Sequence, residues 1–256
     1  VSVTANSTAV IEAFTLGIAG ALTNSGTLAL AGAGSGSGNF IDSSLTAIID
    51  PSIIIASGNV LVSANDASTI TATAGAISVS INVDSGTNVG VGLGIAVAIN
   101  EITSSAIAVI DDTTVTAGGN VSVMSSSTGS IDALAFGVSL TIETSSDGTA
   151  AGLSANVAVT TNTINNTTRA AIEDTVPGTP NTVTADGAVN VSAVESGAIL
   201  ADAVSATLNF AFGSGNGNSI SGGIAVSIAL NTITSTAEAI IDNVDVSAVG
   251  DVSLVA

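Results

Sequence analysis

Acidic residues recur at a fixed distance behind an asparagine, and this pattern is the first candidate for ligand chemistry. The asparagines are Asn39, Asn100, Asn162 and Asn231, and an acid follows each of them 11 residues later. Carboxylate oxygens at turns are ligands that Ca²⁺ accepts. The candidate calcium ligands are therefore Asp50, Asp111 with its neighbour Asp112, Glu173 and Asp242.

A solvated acidic edge is the favoured interpretation of these carboxylates, and calcium binding is the alternative. The chain contains neither the glycine-rich nonapeptide G-G-x-G-x-D nor the loop D-x-D-x-D-G of an EF-hand. Copies one repeat apart are also expected to lie about 10–15 Å from each other, too far to share an ion. Such an edge discourages unwanted lateral pairing of strands. No cofactor other than calcium is predicted.

The four asparagines each end a run of alternating residues, which predicts a structural corner. An asparagine at a corner bonds the backbone of the turn and tolerates a left-handed conformation. We favour this role for Asn39, Asn100, Asn162 and Asn231 over contact with a ligand.

Catalytic groups are scarce, which indicates that the protein is not an enzyme. The chain has no His, Cys, Lys or Tyr, so the common bases and nucleophiles are missing and no catalytic residue is predicted. Glycine clusters at 32–38 and 213–223 lack the Lys-Ser/Thr of a phosphate loop. They are predicted to be flexible turns, and no cofactor-binding residue is expected.

The charge balance excludes two classes of partner. One Arg, no Lys and 20 carboxylates give a net charge of −19. Nucleic acids and anionic lipid surfaces both require cations that this chain lacks. The longest apolar run, at 89–99, is shorter than the roughly 18 residues of a spanning helix, so no membrane span is predicted.

A repeat of about 60 residues organises the whole chain as one continuous array. An alternating pentapeptide begins at Val1, Val60, Val121, Val189 and Val252, with steps of 59, 61, 68 and 63 residues. The repeats are 1–59, 60–120, 121–188 and 189–251, and a fifth begins at 252–256. The longest step coincides with P-G-T-P-N at 177–181, which is predicted to be a surface loop. Since neither end carries a capping sequence, we expect an excerpt of a longer chain or a subunit that associates end to end.

Composition and patterning predict an all-β fold. The apolar residues are mainly Val, Ile and Ala, and the polar ones mainly Ser, Thr, Asn and Gly. Turn-forming residues separate short alternating runs, and no helical stretch lies between them. A coil that stacks each strand on its copy buries the Val/Ile face, which predicts a right-handed parallel β-solenoid. Each repeat would hold two or three coils, giving a rod on the order of 40–60 Å long. Repeated β-sandwich domains are the alternative.

The frame V-x-V-x-A, followed by G-I-A-V-A-I-N-E-I-T-S-S-A-I-A-V-I-D-D-T-T-V-T-A-G-G-N-V, resembles the repeats of giant bacterial surface proteins. These are filamentous adhesins and hemagglutinin-like or leukotoxin-like β-strand repeat proteins. The resemblance implies an exported fibre on the cell surface or in an extracellular or biofilm matrix, in which this chain is a structural shaft. Two alternatives remain: a module that binds a glycan, cell-surface or protein partner through its variable turns, and a fibre subunit joined end to end.

Overall fold

The protein is a parallel β-solenoid, and the computed structural model describes residues 1–176, 178 and 181–256. Every pairing among the described strands is parallel, which excludes the β-sandwich alternative. The strands are β1 (Ser2–Ser7), β2 (Val10–Thr23), β3 (Leu28–Ile49), β4 (Ile53–Ala56), β5 (Val60–Asp66), β6 (Thr69–Asp84), β7 (Asn88–Asp111), β8 (Thr114–Ala117), β9 (Val121–Ser145), β10 (Ala150–Glu173), β11 (Thr182–Ala185), β12 (Val189–Gly213), β13 (Ser219–Asp242), β14 (Asp245–Ala248) and β15 (Val252–Val255).

Each repeat forms a single coil, so the prediction of two or three coils was wrong. Val121 pairs with Val60 in the coil before it and with Val189 in the coil after it. Four coils therefore rise only about 19 Å, and the 24 residues of β7 extend about 80 Å across the axis. The described chain is a broad section of a solenoid and not a rod of 40–60 Å. The right hand of the coil stays a prediction.

Three parallel sheets build the cross-section. Sheet A contains β1, β2, β5, β6, β9, β12 and β15; sheet B contains β3, β7, β10 and β13; sheet C contains β4, β8, β11 and β14. Sheets A and B are long and face each other, and short turns such as 85–87 join them at one end, which we call the arch end. The short sheet C closes the other end, which we call the blunt end. The apolar run at 89–99 continues without a break to Asp111 in the single strand β7.

The blunt end holds the principal hydrophobic core. Three sheets meet there, and their inward side chains form columns of Val, Ile and Ala. Val60, Ile110 and Val115, from the three sheets of one coil, are each at most 1% exposed. Because each column repeats in the next coil, the Val/Ile ladder continues along the axis, as expected from the repeat.

The arch end reverses the expected orientation of its apolar residues. Burial of the Val/Ile face, as expected from the stacked repeat, would place the large residues from Val89 to Ile99 in a core. In the structure the small residues of this segment point inward and the large ones outward. Ala96 and Ala98 are fully buried, whereas Ile95 is 53% exposed. Only sheets A and B enclose the interior here, and it holds mainly Gly, Ala and Ser. Nearer the blunt end the same two sheets bury Ile70 and Ile102 between them.

The glycine-rich segment 32–38 is part of β3 and not a flexible turn. Its glycines occupy outward positions, in register with Leu93, Ile95, Val97 and Ile99 of the next coil. Its inward residues are Ala and Ser, so this first copy keeps the small interior of the others. The second glycine cluster does contain a turn, at 214–218. Most of the predicted loop at 177–181 lies outside the described residues.

No helix in the described ranges has both the length and the apolar composition needed to cross a membrane.

Candidate functional site

The recurring acids form a row at the blunt end, as the spacing predicts, but they lie closer together than expected. Asp111, Glu173 and Asp242 are direct register partners at the ends of β7, β10 and β13, and Asp50 follows the end of β3. Because one repeat is one coil, neighbouring copies are separated by a single strand spacing of about 4.8 Å. The expected separation of 10–15 Å was therefore wrong.

Three of these acids approach each other closely enough to offer oxygens to one cation. One carboxylate oxygen from each of Asp50, Asp111 and Asp112 lies within 4.8 Å of the other two. Oxygen-only ligands of this kind suit Ca²⁺ more than a transition metal. Glu173 and Asp242 stand in the same row but outside this cluster.

Hydrogen bonds already occupy part of this cluster. The Thr175 hydroxyl donates to Asp111 at 3.2 Å, and the backbone N–H groups of Thr175 and Val176 donate to Asp112 at 2.8 and 3.1 Å. Partial burial raises the pKa of Asp111, and the charges of Asp112 and Glu173 add to this effect. Desolvation acts against the charge of Asp112 as well, but the backbone donors outweigh it and lower the pKa of that carboxyl. The two neighbours therefore differ in how readily they stay ionised.

The single arginine neutralises part of the acidic row. Arg169 binds both oxygens of Glu173 on its own strand, with Nη1 to Oε1 at 2.9 Å, and its Nε lies 3.3 Å from Glu238 in the next coil. Glu173 therefore belongs to an ion pair and is less available to a metal than Asp111.

The four predicted corner asparagines lie inside long strands and not at corners. They form a ladder through the interior, in which the amide of Asn39 donates to Asn100 at 2.8 Å, Asn100 to Asn162 at 2.7 Å, and Asn162 to Asn231 at 2.9 Å. Stacking at one coil per repeat places identical amides side by side, so they bond each other rather than turn backbone. Asn100 and Asn162 are each 1% exposed, which assigns the ladder to structure rather than to ligand contact.

The arch interior contains a polar column that the sequence interpretation missed. Glu143 is fully buried and reaches across to Gly90 of sheet B, where a Cβ atom would lie 1.4 Å from its Oε1. Neither oxygen of Glu143 has a hydrogen-bond partner among the described residues, and the same is true of Oδ1 in Asn82 and Asn88. The available signal was the polar series Ser78, Ser80 and Asn82, which alternates with the apolar residues of β6.

Burial without a hydrogen-bond partner shifts the pKa of Glu143. Its desolvation raises the pKa from an ordinary value of 4.5 to about 7. A protonated carboxyl supplies the hydrogen-bond donor that this acceptor-rich interior lacks. At neutral pH, Glu143 is therefore poised between its neutral and charged forms.

A shallow depression at the tip of the arch gathers polar and aromatic groups. It has a volume of about 490 Å³, and Asn24, Asp84 and Phe212 line it together with serines of three coils. Phe210 and Phe212 are exposed and stack with ring centroids 6.4 Å apart. The depression therefore offers both a hydrogen-bond acceptor and an aromatic stacking surface.

The chain matches no protein-family model, no curated protein and no solved structure at a level that would show a family.

Proposed function

We propose that this chain is a structural shaft segment of an extracellular filament or bacterial surface adhesin, without catalysis. The continuous register across coils supports this role most directly. Each long strand of the two inner coils pairs with copies on both sides over nearly its whole length. Pairing of this kind distributes load over many backbone hydrogen bonds, and its stability adds up along the array.

The interior also favours a load-bearing role. The asparagine ladder and the Val/Ile columns repeat in every coil, so each coil contributes the same interactions to its neighbour. The absence of His, Cys, Lys and Tyr leaves few groups for chemistry. A near absence of Lys and Arg also limits cleavage by trypsin-like proteases outside the cell.

Immunogold electron microscopy of intact source cells, with antibodies raised against residues 1–256, tests this proposal. We expect gold particles along fibres that project from the cell surface. Labelling confined to the cell interior, or on compact particles, contradicts it. Permeabilised cells provide the control, because they expose internal antigen equally.

We propose glycan binding at the tip of the arch as a second candidate function. The observation that favours it is the depression that exposed Phe212, Asp84 and Asn24 line together. Sugars are commonly held by stacking on an aromatic ring together with hydrogen bonds from carboxylate or amide groups.

Glycan-array binding of the purified chain measures this second function. Phe212→Ala and Asp84→Asn are each expected to abolish a signal that the unaltered chain gives. Phe14→Ala is the matched control, because Phe14 is also exposed on sheet A but lines no part of the tip depression. Equal loss in all three variants, or no signal from the unaltered chain, argues against the site.

A further inference from the structure

An uncharged apolar face covers the arch half of sheet B. It consists of the outward residues in segments 28–38, 89–99, 151–161 and 220–230, which together we call the arch face. These four segments contain no Asp, Glu, Lys or Arg. Large side chains stand exposed on it, including Ile95 at 53% and Ile224 at 67%. A contiguous surface of this kind marks an interaction site rather than ordinary scattered exposure.

We propose that the arch face binds the arch face of a second copy of this chain, so that two solenoids pair side by side. This pairing differs from end-to-end association, because it joins side chains of one sheet face and leaves the terminal strands free. It does not depend on the proposed shaft function.

The area of the arch face matches what a stable dimer needs. Eleven residues along each strand and four strands across give about 36 Å by 19 Å, or close to 700 Å². A standard protein interface buries about 800 Å² on each partner. One face is therefore large enough to hold two copies together without a contribution from sheet A.

The shape of the arch face is suited to binding a second copy of the same face. Leu93, Leu153 and Ile224 project around a depression of about 520 Å³ whose floor includes Ala155 and Gly222. Glycines at the outward positions of 32–38 form a flat shelf beside Ile95 and Val97. The arch face thus carries both projecting apolar side chains and apolar recesses. In packed β-sheets, the side chains of one inner face insert between those of the other, and two arch faces can fit together in the same manner.

Charge favours a second copy over a lipid surface. The acids that give the chain its net charge concentrate elsewhere, above all in the row at the blunt end, so pairing through the arch face leaves them in water. The outward face of sheet A, by contrast, carries Glu12, Asp132 and Asp202. Insertion of the arch into a bilayer would bury these charges and would leave the backbone groups of the terminal strands unpaired in hydrocarbon.

Sedimentation equilibrium of the purified chain tests the pairing. We expect a discrete dimer, weakened at least tenfold by the double substitution Ile95→Asn and Ile224→Asn. Leu140→Asn with Leu208→Asn, two outward positions on sheet A, is the matched control and is expected to dimerise normally. A monomer at millimolar chain concentration, an open series of oligomers, or equal weakening by both pairs overturns the proposal.

Cross-linking separates side-by-side pairing from end-to-end stacking. The chain has no cysteine, so Val97→Cys places a single thiol on the arch face and Val138→Cys places one on sheet A. A short bis-maleimide is expected to join two Val97→Cys chains and not two Val138→Cys chains. End-to-end stacking would hold the Val97 positions four coils apart, about 19 Å, beyond the reach of the reagent. Failure of Val97→Cys to cross-link, or flotation of the chain as a monomer with zwitterionic vesicles, overturns the proposal.

Discussion

The side-chain amide of Asn100 donates a hydrogen bond of 2.7 Å to the side-chain carbonyl of Asn162, one coil further along the solenoid. Both residues are buried, and Asn162 in turn donates to Asn231. Each amide in the interior of the ladder therefore uses its donor on one neighbour and its acceptor on the other. The ladder fixes the register of long strands that are otherwise rich in interchangeable Ala, Ser and Thr.

Asn162→Ala is expected to destabilise the chain by about 2–4 kcal/mol, because it breaks two ladder bonds and leaves the buried amide of Asn100 without an acceptor. Chemical denaturation measures the change in the free energy of unfolding. Asn231→Ala is the matched control at the exposed end of the ladder, where one bond is lost, and about 1 kcal/mol is expected. Equal effects at the two positions would mean that the ladder contributes nothing beyond a single hydrogen bond.

The free energy of unfolding should fall as the pH rises from 4.5 to about 7, the range between the ordinary pKa of Glu143 and its pKa in the fold. Its pKa is about 7 in the fold against an ordinary 4.5, so the folded state holds this proton more tightly than the unfolded chain does. The contribution of Glu143 to the free energy of unfolding is largest below pH 4.5 and decreases as the pH rises. Above pH 7 it levels off roughly 3 kcal/mol lower.

Glu143→Gln should remove this pH dependence and stabilise the chain at pH 8, which denaturation at several pH values will show. Glu101→Gln serves as the control, since it removes a carboxylate from the outer side of β7 without altering the arch interior. Parallel stability profiles for Glu143→Gln and the unaltered chain would contradict the assignment.

Two glycines of the arch turns should respond differently to the same substitution. A Cβ on Gly148 would lie 2.5 Å from the backbone carbon of Gly86 in the neighbouring coil, whereas a Cβ on Gly86 meets nothing within 4 Å. Gly148→Ala is therefore expected to cost about 1–3 kcal/mol through overpacking, and Gly86→Ala to be neutral or slightly stabilising. Thermal unfolding compares the two, and a neutral Gly148→Ala would show that the turns are not tightly stacked.

Arg169→Met should lower stability by about 1 kcal/mol, because Glu173 loses its ion pair and faces Asp111 and Asp242 in the same row. The difference is expected to shrink at high salt, which screens the repulsion between the carboxylates. Arg169→Lys keeps the charge but loses the bidentate contact, so its stability should lie between that of the unaltered chain and that of Arg169→Met. Denaturation at low and high salt measures this, and a loss independent of salt would point to packing of the arginine stem instead.

Much of the fold followed from the sequence. The abundance of β-branched residues and the lack of helical stretches predicted strands. The alternating pentapeptide and the asparagine followed by an acid recur in register, which predicted that equivalent segments stack. Both are local properties of the chain, set by side-chain shape and by the need to pair every backbone group. The acidic row followed as well, because a fixed spacing from strand to acid places every copy at the same point of the coil.

The number of coils in a repeat was decided only in the tertiary structure. A period of about 60 residues fits one, two or three coils, and the choice depends on whether an asparagine or serine within a run interrupts a strand. Asn100 does not interrupt β7, because its amide finds partners in the neighbouring coils. That one difference brought Asp50 and Asp111 close together and moved the asparagines from corners into a ladder.

Which face of each strand is buried could likewise not be predicted from the sequence alone. Alternation shows that Ile95 and Ala96 point in opposite directions, but not which of them faces the interior. At the blunt end the space between the sheets accepts Val and Ile, and sheets A and B bury Ile70 and Ile102 between them next to it. Farther into the arch the interior holds mainly Gly, Ala and Ser, with a few polar side chains such as Glu143 opposite a glycine. The sequence by itself determined the repeat and the strands, and the separation of the sheets decided which side chains are buried, because a side chain can be buried only where the opposing sheet leaves room for its volume.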